Sequence, residues 1–222
     1  MKKILLIAFI AMLTTITANA QTQLHDYDID ELRSSWQKTI TVPVSQASVV
    51  EKLFLAWSKE FPNVFTEVFD KFKKTGKTTD IKINDCDYKF KLDFAPKNGF
   101  LSIDGDYSYI CEVDGNYKKG DKITKEQILN AVYWNLTNGN KLFGVSFQIP
   151  GECFNNCMVA FYEYNVAQGT LSPRADIAKN VMKAVGDDTE IFVSLPKEGR
   201  DIRYFDYSDQ KTKVIKWNGN GF

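Results

Sequence analysis

Near residue 81 the hydrophobic period of this chain changes, which divides it into a helical opening and a strand-dominated remainder. Upstream, Val49, Val50, Leu53, Phe54 and Trp57 recur at helical spacing. They follow Ser48-Val49-Val50-Glu51, a capping-box sequence in which hydroxyl and carboxylate satisfy free amides at a helix start. Pro62 suits the first turn of a second helix, whose stripe is Phe61, Phe65, Val68, Phe69 and Phe72 and which Gly76 stops. Downstream, Tyr88, Phe90, Leu92 and Phe94 alternate with charged residues, and Pro96-Lys97-Asn98-Gly99 turns the chain into Phe100–Ile103. Tyr107, Tyr109, Cys111 and Val113 continue the alternation, with a bulge expected at Asp104-Gly105-Asp106.

The same reasoning covers the rest. Ile40, Val42 and Val44 alternate around Pro43, whose missing N–H predicts an edge strand. Thr124 to Gln127 reads as a second capping box and predicts a short helix over 125–132. Strands are expected at 132–137 and 141–149, joined by the tight-turn sequence Asn138-Gly139-Asn140. A strand at Met158–Tyr164 leads through Gln168-Gly169 to a helix opened by Ser172-Pro173, faced by Ile177, Ala178, Val181, Met182 and Val185, and ended by Gly186. Three strands close the chain, at 190–195, 201–207 and 212–217. The predicted class is α+β: an N-terminal amphipathic helix pair packed on antiparallel β-sheet, with further β-hairpins and a helix in the C-terminal half. One domain over 21–222 is expected, and the polar stretch 115–124 is the one candidate internal boundary.

The first residues have the three parts of a secretory signal peptide, over 1–20. Lys2 and Lys3 are its positive region, Ile4 to Ile16 its apolar run and Ala18-Asn19-Ala20 its small-x-small cleavage site. The apolar run is shorter than the roughly 20 residues a bilayer span requires, and no other stretch approaches that length. Cleavage would leave 26 basic against 28 acidic residues. That balance provides no electrostatic footprint for nucleic acid or anionic membrane. The expected product is periplasmic or extracellular.

Export changes the reading of Cys86, Cys111, Cys153 and Cys157, because oxidising compartments favour disulfides over thiolate metal sites. Four cysteines allow three connectivities. A turn at 96–99 places residue 86 opposite about residue 109, one side-chain step from Cys111, so Cys86–Cys111 is expected if the bulge intervenes, with Cys153–Cys157 closing a small loop. No metal or cofactor is expected. His25 is the one histidine, which disfavours Ser-His-Asp, Cys-His and multi-histidine metal chemistry. Asp26-x-Asp28-x-Asp30 opens like a calcium loop but has Glu31 and Gln37 where an EF-hand needs Gly and Glu. No phosphate loop, GxSxG elbow or HExxH helix is present, and among 28 acidic residues no catalytic pair stands out.

Aromatic residues are the remaining signal. Trp134, Tyr162, Tyr164, Tyr204, Tyr207 and Trp217 fall in the strand-rich half, where they could gather on one face to contact a ligand, although packing is the ordinary role of each. The expected function is therefore a non-catalytic binding module with a carbohydrate or protein ligand. A small carboxylate-dependent hydrolase and an accessory subunit of an envelope assembly are the alternatives.

The leader's Ala18-Asn19-Ala20-Gln21 ending resembles those of exported proteins from Bacteroidetes. Tyr133 to Leu142, Leu195 to Ile202 and Lys216-Trp217-Asn218-Gly219 resemble segments of uncharacterised secreted proteins of that group. The resemblance lies mainly in the C-terminal half. It carries no activity and implies localisation only.

Overall fold

The computed structural model describes residues 37–61, 64–82, 89–110, 120, 122–148, 157–186, 191–206 and 210–222. The leader, His25, the Asp26–Asp30 run, Cys86, Cys111, Cys153 and Tyr207 lie outside them.

Strand β1 is Ile40–Thr41, followed by helices α1 (Val49–Glu60) and α2 (Val64–Thr75). Next come β2 (Lys89–Ala95), β3 (Phe100–Ile110), β4 (Lys122–Asn135), β5 (Lys141–Gln148), β6 (Cys157–Asn165) and β7 (Thr170–Pro173). Helix α3 (Ala175–Val185) then precedes β8 (Ile191–Ser194), β9 (Ile202–Asp206) and β10 (Lys211–Ile215). Seven strands pair in the order β1-β7-β6-β5-β4-β3-β2, and the last three form a separate sheet, β10-β9-β8. Every strand pair is antiparallel. The class is α+β, as the pattern predicts, with β1 at the sheet edge that Pro43 called for. Strands from both sides of 115–124 share the large sheet.

The two opening helices form where their stripes place them. Ser48 is the N-cap of α1, but its hydroxyl makes no capping bond. Glu51 does not complete a capping box either. It reaches Lys73 Nζ on α2 at 2.7 Å, so the carboxylate ties the helices together. Apolar residues of both helices pack on one face of the large sheet with Leu101, Ile103, Leu129, Ala131, Phe143, Val145 and Phe147. Phe65 meets Phe90 and Phe147 edge-on, at 6.0 and 5.8 Å between centroids.

The 96–99 turn sets β2 against β3 from Ala95↔Phe100 to Lys89↔Asp106, the register expected from the sequence. The bulge at Asp104-Gly105-Asp106 is not there, because both neighbours pair with β3 through these residues without interruption. Gly105 instead makes room for an aromatic ring. Phe90 lies across it so closely that a Cβ would fall 2.1 Å from the ring. Gly144 serves Phe161 in the same way from the directly paired position, its Cβ position being 2.9 Å from that ring.

Two further expectations need correction. Residues 125–132 are not helical but lie within the 14-residue strand β4. This strand is paired on both sides and covered on both faces, so apolar residues fall at odd and even positions and blur the period of two. Ser172 and Pro173 do not open a helix but end β7, and α3 starts after Arg174. The tight turn before β5, the stop at Gly186 and the three closing strands stand where expected.

The second face of the large sheet is covered by α3, by Val193, Leu195, Ile202 and Tyr204 of the small-sheet region, and by the tail carrying Trp217 and Phe222. The result is a three-layer arrangement with a separate apolar core on each side of the large sheet. Among the described residues, no helix is long and apolar enough to cross a membrane.

Candidate functional site

The aromatic residues do not form a platform. Tyr162 and Tyr164 project from β6 into the core beneath α1 and α2, whereas Trp134, Tyr204 and Trp217 belong to the core on the other face. Parity explains the split. Tyr162 and Tyr164 occupy positions of one face, while Trp134 stands across Leu142 from Glu163, which lies on the opposite face. Trp134 is buried, donates Nε1–H to the Arg200 carbonyl at 2.9 Å and stacks on Trp217 at 5.9 Å. Tyr204 is buried with its hydroxyl on the Ala184 carbonyl at 3.0 Å. Tyr162 is fully buried, and burial raises its phenol pKa. Tyr164 is buried beneath Lys52, whose Nζ sits 5.0 Å from the ring centroid. The polar tips of Trp134 and Tyr204 are thereby satisfied from within, whereas Trp217 Nε1 is buried without a hydrogen-bond partner.

A different group stands out on the second face. Pairings Ser102↔Asn130 and Asn130↔Ser146 place three polar side chains in one row across β3, β4 and β5, and Gln148 lies one step along β5 on the same face. Their exposures are 8, 6, 0 and 2%. Asn130 Nδ2 donates to Ser102 Oγ at 2.9 Å, and Ser102 Oγ donates to Asp104 Oδ1 at 3.0 Å. Gln148 Nε2 donates to the Val193 carbonyl on β8. Ser146 Oγ and Gln148 Oε1 are buried without a hydrogen-bond partner, as are Ser48 Oγ, Ser58 Oγ and Trp217 Nε1 elsewhere in the fold. Most buried polar groups are paired, so two orphans two residues apart require a reason.

Carboxylates lie beside this row. Asp106 faces Glu126 directly and Asp104 lies diagonally from it. Such diagonal neighbours are generally about 7–8 Å apart. Burial raises the Asp104 pKa against the Ser102 hydrogen bond and Lys91, with Asp93 and Asp106 adding repulsion. Glu126 is raised by burial and by Asp104 and Asp106. Lys197 Nζ binds Asp93 at 2.6 Å and links the loop after β8 to β2. A second carboxylate group is structural. Glu163 accepts from Asn140 and Asn138 at 2.8 and 3.0 Å and pairs with Arg174 at 3.1 Å, joining the β4–β5 turn to the start of α3. Hydrogen bonds and Arg174 hold its pKa down.

Sequence reasoning overlooked Ser102, Asp104, Asn130, Ser146 and Gln148. A signal was present in β5, where Leu142-Phe143-Gly144-Val145 is apolar at consecutive positions and marks a strand covered on both faces. In such a strand Ser146 and Gln148 must be buried too. Of the cysteines, Cys157 begins β6 opposite Gln148, and its side chain lies outside the described residues. Among the described residues, no group of three or more His, Cys, Asp or Glu side chains is placed to hold a metal ion. Set against known proteins, the chain matches no family model, no curated sequence and no solved structure.

Proposed function

We propose that this protein is an exported, non-catalytic recognition module, acting in the periplasm or at the cell surface on a carbohydrate or protein ligand. The observation that carries the reading is the buried row Ser102–Asn130–Ser146 with Gln148, polar groups set into a covered sheet face where apolar side chains would stabilise more. With Trp134, Tyr162, Tyr164 and Tyr204 committed to the two cores, recognition would rely on hydrogen bonds rather than ring stacking. Export is supported by the leader pattern, and the four cysteines then read as two disulfides.

The test is a glycan array and an envelope pull-down with the mature 21–222 protein. A specific ligand in either supports the module, and clean negatives in both reject it. Cell fractionation tests export separately: recovery of a chain retaining Met1 from the cytoplasm would reject it. Mass mapping without reduction tests the bridges.

The second reading, a carboxylate-dependent hydrolase, is favoured by the neighbouring Asp104 and Glu126, both biased toward protonation. Release of reducing sugar that disappears in Asp104→Asn would establish it over the binding module. As for an envelope subunit, the exposed large apolar side chains among the described residues are Val44 and Val166, in the segments after β1 and β6, and Val214 on β10 of the small sheet. This offers little for assembly.

A further inference from the structure

The segment after β10 sits in the fold as a bound peptide sits in a groove. We propose that residues 216–222 form a strap that opens independently of both sheets, and that the cleft beneath it accepts the same segment of a second copy, giving an exchanged dimer. The inference goes beyond the recognition-module reading and does not depend on it.

Three observations lead there. The strap lies outside both ladders: β10 ends its pairing at Ile215↔Ile202, and among the described residues nothing from Lys216 onward joins a strand. The segment closes on itself instead. Asn218 N–H donates to the Gly221 carbonyl at 3.1 Å, and Asn220 N–H donates to Asn218 Oδ1 at 2.9 Å. Its attachments are those of a docked peptide, two aromatic anchors with polar contacts at the rim. Trp217 stacks on Trp134 with 5.9 Å between centroids, and Phe222 meets Trp134 and Phe161 at 5.3 and 5.9 Å. Thr137 Oγ1 donates to Asn220 Oδ1 at 2.6 Å and Asn180 Nδ2 to the Phe222 carbonyl at 3.2 Å, both at the surface. Finally, charge complementarity fixes the direction of the occupant. Asp201 accepts from Trp217 N–H at 3.0 Å and pairs with Lys216 Nζ at 2.8 Å.

Opening is therefore a local event. It separates the two anchors, a few surface hydrogen bonds and an exposed ion pair, which contributes little, and it leaves every strand ladder intact. The floor of the cleft survives as well. Trp134 and Phe161 belong to β4 and β6, and Trp134 keeps its Nε1–H on the Arg200 carbonyl. Another copy's strap is the occupant this geometry specifies, because it brings the same rings at the same spacing and a lysine to meet Asp201. It also brings Gly221, where a Cβ would stand 2.9 Å from Ile177 Cδ1. Exchange of identical segments remakes each contact it breaks, a low-cost route to a dimer.

The experiment uses the mature protein and a dye-labelled peptide, Lys-Trp-Asn-Gly-Asn-Gly-Phe, copied from the strap. Fluorescence anisotropy compares the wild type with the full-length Trp217→Ala/Phe222→Ala variant, whose own strap lacks both anchors. The variant should bind the peptide at least tenfold more tightly, because the wild-type cleft is already filled. Light scattering should show wild-type dimer growing with concentration and dissolving under excess peptide, with the double variant monomeric throughout. A folded double variant that ignores the peptide overturns the proposal. So does a wild type that is monomeric at every concentration, or a dimer that persists in the double variant. If the double variant does not fold, hydrogen exchange on the wild type and Asp201→Ala decides. Amides of 216–222 should exchange faster than those of β4 and β9, and Asp201→Ala should speed the strap alone. One common rate for strap and ladders overturns the proposal.

Discussion

The two faces of the large sheet solve the same packing problem differently. Beneath α1 and α2 the strands present a largely apolar surface, with Leu101, Ile103, Leu129, Ala131, Phe143, Val145 and Phe147 in one cluster and Gln127 as a buried polar side chain on the same face. On the other face only one end is apolar, where Phe100, Val132, Trp134, Leu142 and Phe161 meet α3, β8 and the tail. At the other end the row turns polar, although β8 reaches it through Gln148. Among the described strand residues the first face buries the polar side chain of Gln127, whereas the second buries Ser102, Asn130, Ser146 and Gln148 in one row, and this concentration is what points to a demand other than stability.

Substitutions can break this comparison, beginning with the largest effect. Phe65→Ala removes a fully buried ring that locks α2 onto Phe90 and Phe147, and should cost about 3–5 kcal/mol in urea denaturation. A loss below 1 kcal/mol would mean that the first face is not the main source of stability. Trp134→Phe leaves the Arg200 carbonyl without its donor on the second face, and about 1–3 kcal/mol should be lost. No change there would imply that the tail and small sheet are held by other contacts.

Two smaller effects sharpen the contrast. The Asp104 pKa is raised in the folded protein, so the folded state takes up a proton more readily than the unfolded chain. Its destabilising effect is present above the folded pKa and is relieved as pH falls through that value toward the ordinary 3.8. Glu126 acts in the same direction toward 4.5. Glu163 is depressed, and its stabilisation is lost only as pH falls below 4.5, so above that value the raised pair sets the sign. Stability should therefore rise modestly on acidification from neutral pH, and Asp104→Asn should flatten the rise. An unchanged slope in that variant would remove Asp104 from the explanation. Lys197→Ala should matter least, about 0–1 kcal/mol, because the Asp93 pair is solvent-exposed and should weaken further in salt.

Much of the fold was legible because local rules act without tertiary help. Helical spacing at 49–57 and 61–72, the turns at 96–99 and 138–140, and the stop at Gly186 all appear at their expected places. Legibility ended where tertiary context overrode local pattern. At 125–132, pairing on both sides turned a plausible helix start into strand β4. At Gly105, a glycine in a turn-like sequence served to admit the Phe90 ring. The site was harder still. Tyr and Trp drew notice because they are amphipathic, but burial is decided by strand parity and by what covers each face. Ser102, Asn130, Ser146 and Gln148 drew none, because polar residues in strands are ordinarily assigned to solvent. Only knowledge of which layer covers them makes them unusual.

The contrast between the faces is tested most directly by the urea midpoint of Ser146→Ala against the wild type, both without ligand. If the covered hydroxyl serves binding at the expense of stability, the midpoint should stay the same or rise with an unchanged m-value. A midpoint lowered by the equivalent of more than about 1 kcal/mol would show that Ser146 supports the fold, and the functional reading of the second face would be contradicted.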